Sequence, residues 1–194
     1  MMADHNVVDR TTRILAGDDQ ANYDNVAIAL HWITAVLVVT QFALGETWDW
    51  FPQGVRRTMQ RTHISFGILF TAVIVIRLMW RWIPAHWRSS LAEGWMRTAS
   101  RIVHYVLYAL LAAQALLGLM VGWGGGAIRF FGIPLASPID PLDQSLRNSL
   151  LHLHEKVAWT IIILVVGHAG AALYHHYFLK DRVLGRMLPL ARKS

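Results

Sequence analysis

The chain has 194 residues, 55% of them hydrophobic and only 15% charged, with a formal net charge of +6. Soluble domains carry about 25% charged residues, so this deficit excludes an ordinary soluble enzyme and points to a lipid bilayer. Cysteine is absent, which excludes disulfides, thiolate zinc sites, iron–sulfur clusters and the covalent attachment of c-type haem.

Residues 1–25 form a polar tail in which Asp4, Asp9, Asp18, Asp19 and Asp24 stand against Arg10 and Arg13. The tail lacks the basic-then-apolar order of a cleavable signal, so the first apolar run is expected to act as an uncleaved insertion signal. Residues 26–194 then hold four runs that meet the requirement of roughly 20 apolar residues for crossing a hydrocarbon core. They are Val26 to Gly45, His63 to Trp82, Ile102 to Trp123, and His154 to Phe178. Backbone groups must be satisfied internally in lipid, and these runs are too long and too uniform for tilted strands, so all four are expected as helices. The predicted architecture is an all-α, four-helix transmembrane bundle. Between the third and fourth runs, Gly124 to Gly126 with Pro134, Pro138 and Pro141 predict a loop. Leu142, Leu146 and Leu150 then recur at helical spacing, so a short amphipathic helix is expected on the outer surface.

Lys and Arg set the orientation, because positive residues resist translocation. The two tails and the second connection hold eleven basic residues, including Arg81, Arg101 and Lys180. The other side holds five: Arg56, Arg57, Arg61, Arg129 and Arg147. Both termini are therefore expected in the cytoplasm, and the basic excess reads as a collar facing the membrane rather than a nucleic-acid surface. Tryptophans near the span ends, among them Trp48, Trp50, Trp82 and Trp123, read as an interfacial belt.

Ionisable side chains inside a bilayer are costly and usually have an internal task. With cysteine excluded, the ten histidines are the residues to follow. His154 and His168 are fourteen residues apart, nearly four whole turns, so they share a helix face about 21 Å apart along the axis. Given the orientation, His63 and His154 fall at the outer level and His31 and His168 at the inner one. Each pair is placed to clamp one haem iron axially, a closed arrangement that favours electron transfer over oxygen binding. Small residues four positions on, Ala35, Gly67, Ala158 and Ala172, leave space beside each ring. Arg77, fourteen residues after His63, lies at inner depth, where pairing with a propionate and snorkelling are both open to it. His104 reads as a helix–helix hydrogen-bonding residue, His175 and His176 as interfacial, and His5, His86 and His152 as surface residues.

The chain resembles the bacterial cytochrome b561 family from Asn25 to Pro189. The likeness lies in Leu30-His31-Trp32, His63-Ile64-Ser65-Phe66-Gly67, Phe131-Gly132-Ile133-Pro134-Leu135, His154-Glu155, Gly167-His168-Ala169, His175-His176-Tyr177-Phe178-Leu179-Lys180-Asp181 and Arg186-Met187-Leu188-Pro189, in that order. The resemblance implies two noncovalent haem b groups, axial histidines on spans one, two and four matching His31, His63, His154 and His168, and electron exchange with a membrane quinone in the bacterial inner membrane. The long tail departs from the compact pattern. The expected function is electron transfer between a small outer donor or acceptor and quinone, with Arg56, Arg57 and Arg61 drawing an anion to the outer side or contacting headgroups. The alternatives are a membrane anchor subunit like those of hydrogenases or formate dehydrogenases, taking electrons from a membrane or periplasmic partner, and a divalent-metal transporter. The last is disfavoured because the spans carry no midplane Asp or Glu.

Overall fold

A computed structural model describes residues 25–83 and 94–180, together with Leu184 and Met187. Most of the polar tail (residues 1–24), His5, His86, Trp87, Arg88 and the basic residues Arg182, Arg186, Arg192 and Lys193 lie outside the described residues, as does the side chain of Arg97. Four helices follow one another: α1 (Asn25–Thr47), α2 (Gln53–Trp82), α3 (Gly94–Trp123) and α4 (Gln144–Tyr177). Each is long and apolar enough to cross a membrane, and together they make the expected all-α bundle. Their hydroxyls stay compatible with lipid by bonding back along the helix, as Thr34 does to the Leu30 carbonyl at 2.6 Å and Thr71 to that of Gly67 at 2.9 Å. Large apolar side chains such as Val36, Leu116, Ile163 and Val166 face outward, where a soluble bundle would be polar.

The core is an apolar layer of Leu37 and Val38 from α1, Phe70, Val73 and Ile74 from α2, Leu111 and Ala115 from α3 and Ile161 from α4. Ile74 and Ile161 are its most enclosed members, at 2% and 3% exposure. This layer lies midway along the bundle and separates two polar levels. One level is at the end where α1 finishes and α4 begins, the other where α1 begins and α4 finishes. Among sequential and closing neighbours, α1 and α4 approach each other least.

Three elements differ from expectation. α2 starts at Gln53, so His63 sits about three turns inside the helix rather than opening it. The loop before α4 contains an antiparallel hairpin, β1 (Ile128–Phe130) and β2 (Ile133–Leu135), with Arg129 opposite Pro134. Its two-residue turn has positive φ at Phe131 (46°) and Gly132 (92°), the left-handed pair that a tight twisted ribbon requires. Ser65, 3% exposed, accepts a hydrogen bond from the Phe131 N–H at 3.0 Å, which ties the hairpin to α2. No separate amphipathic helix precedes the fourth span. Asp143 caps α4 by accepting from the Leu146 N–H at 3.0 Å, and no breaker follows, so the leucine-spaced turns fuse with the span into one helix of 34 residues.

Candidate functional site

At the hairpin end, α2 and α4 bring His63 and His154 together, with ring centres 6.3 Å apart. Each ring is bounded by a glycine and accompanied by an amide from a neighbouring helix. The Cβ position of Gly45 on α1 is 3.6 Å from His63 Cε1, and that of Gly118 on α3 is 3.2 Å from His154 Cε1. Gln41 donates to the His63 backbone carbonyl at 3.0 Å, and the Gln114 amide nitrogen lies 3.2 Å from His154 Nε2. An amide nitrogen donates and cannot accept, so the proton of the neutral His154 ring is on Nδ1. Nδ1 of both histidines and Oε1 of both glutamines are buried without partners among the described residues. Trp48 packs edge-on against His63 at 5.3 Å.

At the opposite end, His31 of α1 and His168 of α4 stand 6.5 Å apart. Arg77 reaches His31 Nδ1 at 3.0 Å while its guanidinium lies over the Tyr108 ring at 5.0 Å. His104 joins this level, with its ring 5.1 Å from His168 and its Nδ1 2.7 Å from the Ser100 carbonyl. His175 and His176 lie two turns further along α4 and join neither pair, and His152 is exposed and bonds Glu155 at 3.4 Å. The arginines before His63 are divided. Arg56 pairs with Asp49 at 2.7 Å, whereas Arg61 lines a surface cleft of about 610 Å³ with Arg129, Thr58, Thr62, Ser65, Phe131 and Gly132.

The sequence model of prokaryotic cytochrome b561 matches residues 22–190. The chain belongs to this family. It is 31% identical over 175 residues to cytochrome b561 homolog 1 of Escherichia coli K12, covering 86% of this chain and 97% of that protein. Homolog 2 of the same organism is 33% identical over 174 residues, covering 86% and 90%. The probable superoxide oxidase CybB of Yersinia pestis is 26% identical over 172 residues, covering 88% and 97%. As a cytochrome b561, the chain is a multi-pass bacterial membrane protein that binds b-type haem and transfers electrons.

The residues can be tested against that cofactor. Two imidazoles sharing one metal, with each nitrogen about 2 Å from it, have ring centres roughly 6 Å apart. The separations of 6.3 and 6.5 Å fit. For His154 the tautomer fits too, because a ring that ligates through Nε2 carries its proton on Nδ1, but the Gln114 amide that donates to this Nε2 has to withdraw from it before the ring can ligate. At the other end Arg77 donates to His31 Nδ1, which puts the proton of a neutral ring on Nε2. Ligation by His31 through Nε2 therefore requires the guanidinium to move off the ring.

Several residues of this cytochrome b561 were not singled out from sequence: Gln41, Gly45, Gln114 and Gly118. Gly67 makes room for the Gln41 amide, whose Nε2 is 3.1 Å from the Gly67 Cβ position. A repeated spacing would have found them. Gln41 and Gly45 follow His31 at the same intervals at which Gln114 and Gly118 follow His104.

Proposed function

We propose that this cytochrome b561 carries electrons across the bilayer on two haem b groups, one held by His63 and His154, the other by His31 and His168. The observation that supports this most directly is the pair of cross-helix histidine contacts at 6.3 and 6.5 Å on either side of an apolar layer. When bound, each iron would supply a one-electron redox change, and a pair of histidines on each would favour electron transfer over oxygen binding. The protein's share is positioning. α4 fixes His154 and His168 on one rod, Gly45 and Gly118 keep space beside the outer rings, and the apolar layer excludes water between levels. Arg77, once off His31, is free to pair with a propionate by a charge-assisted hydrogen bond.

In this reading the hairpin end is outer and both termini are cytoplasmic, with residues 1–25 a polar extension before the bundle. The outer reactant is a small anion and the other is a membrane quinone. Superoxide, named by the Yersinia relative, suits a one-electron outer donor: its oxidation to dioxygen releases one electron, and reduction of a quinone to quinol takes two electrons and two protons. The Arg61 and Arg129 guanidiniums beside the outer level provide the attracting field.

A reduced-minus-oxidised spectrum with a haem-to-protein ratio tests the reading. A ratio of two is expected, falling to one in His63→Ala or His154→Ala. A colourless, folded preparation from haem-replete cells overturns it. Salt-independent reduction kinetics after neutralising Arg61 and Arg129 together would remove the anion.

A further inference from the structure

The internal spacings of the first two helices recur in the last two. His31, Gln41 and Gly45 on α1 match His104, Gln114 and Gly118 on α3, and His63 and Arg77 on α2 match His154 and His168 on α4. The contacts recur with them. Gln41 bonds the His63 backbone and Gln114 the His154 ring, while Gly45 and Gly118 each face a histidine Cε1. At the other level His31 meets Arg77 at 3.0 Å, and His104 meets His168 with ring centres 5.1 Å apart. The bundle is thus built from two similar helical hairpins, α1–α2 and α3–α4. In that correspondence His104 is the counterpart of His31, which places it at the inner level by construction.

His104 is also chemically prepared. A carbonyl oxygen only accepts, so the 2.7 Å contact with Ser100 puts the proton on His104 Nδ1. Nε2 of the neutral ring is then a bare acceptor. His168 makes no side-chain hydrogen bond among the described residues; its contacts are the edge-on rings of His31 and His104. Its own helix offers only Leu164, Val165, Ala171 and Ala172 within a turn, none with a polar side chain. Two imidazoles joined by an N–H···N bond of about 2.9 Å have ring centres roughly 5 Å apart, and the observed 5.1 Å lies at that separation.

We propose that His104 is a positioning residue for the inner site, accepting a hydrogen bond from His168 Nδ1–H when His168 ligates through Nε2. The proposal rests on the reading that His168 is an axial ligand. The other N–H of a ligating histidine is usually given to an acceptor, which fixes the ring and makes it a stronger donor. A stronger axial donor stabilises the oxidised metal, so His104 holds the inner midpoint potential down.

The test uses the purified full-length protein in detergent, with haem-to-protein ratio, thermal unfolding and a redox titration read together for wild type, His104→Ala and His104→Gln. The alanine variant is expected to keep two haems and to shift one of two redox components positive by roughly tenfold in its equilibrium constant, about 59 mV for one electron. Glutamine retains an acceptor and restores most of the shift. His104→Leu, nearer in volume, serves as the acceptor-free case if alanine unfolds the bundle. Two haems with both components unmoved overturn the proposal, sending the proton to the Leu164 carbonyl. Loss of one haem in His104→Gln also overturns it, since His104 would then be a ligand. A wild-type ratio below two instead removes the ligand reading beneath it.

Discussion

The two glycines beside the hairpin-end histidines offer a matched perturbation, because alanine adds the same methyl group at equivalent places with different clearances. At Gly45 the added carbon would lie 3.6 Å from His63 Cε1, and at Gly118 it would lie 3.2 Å from His154 Cε1. Optimal carbon contacts fall at about 3.5–4.0 Å, so the first is ordinary contact and the second is short by at least about 0.3 Å. Alanine also favours helix over glycine by about 1 kcal/mol at either site. Gly45→Ala should therefore be neutral or stabilising by up to about 1 kcal/mol. At Gly118 that gain opposes an overpacking cost of about 1–3 kcal/mol. The two variants should then differ by about 1–3 kcal/mol, and each kcal/mol moves the unfolding midpoint of a chain this size by about 2–4 °C. Thermal unfolding in detergent, with the haem-to-protein ratio at each temperature, reads both effects. Gly118→Ala should unfold first and release haem first. Equal behaviour, or greater damage from Gly45→Ala, would refute the clearance argument.

Three further outcomes follow from local geometry. Gly124→Ala places a carbon 2.7 Å from both the Leu142 side chain and the Met120 carbonyl, so a loss of about 1–3 kcal/mol is expected in thermal unfolding. Asp143→Ala removes the cap of α4 and should cost about 1 kcal/mol, while Asp143→Asn should keep most of it; equal losses would show that the cap bond is not what matters. Trp32→Phe deletes the 2.7 Å bond from the indole to the Met187 carbonyl, worth about 0.5–1.5 kcal/mol, and should speed proteolysis at the C-terminal segment without altering haem content.

The bundle and its two polar levels were legible because long apolar runs and a fourteen-residue histidine interval carry their own geometry. The interval between His154 and His168 needs only helical periodicity to become a depth. What escaped depended on partners from other helices. The Gln41 amide beside Gly67 was not foreseen, since the intrahelical i+4 rule says nothing of what a neighbouring helix inserts. The ribbon at Ile128–Phe130 and Ile133–Leu135 was hidden because Pro134 marks a break in sequence while being tolerated in an edge strand. His104 was read alone, as a residue that bonds between helices; its meaning comes from the spacing it shares with His31.

α4 has one consequence that concerns the surrounding lipid. At 1.5 Å per residue its 34 residues reach about 51 Å, well beyond a hydrocarbon core of about 30 Å. A thicker or thinner bilayer is met by tilting this rod or by sliding its polar end, and neither changes the separation of His154 from His168. Membranes of different composition would therefore alter how deeply each histidine level is buried, while the spacing of the two levels along α4 stays constant; if both levels hold haem as proposed, the distance between the two groups would be insulated from the lipid.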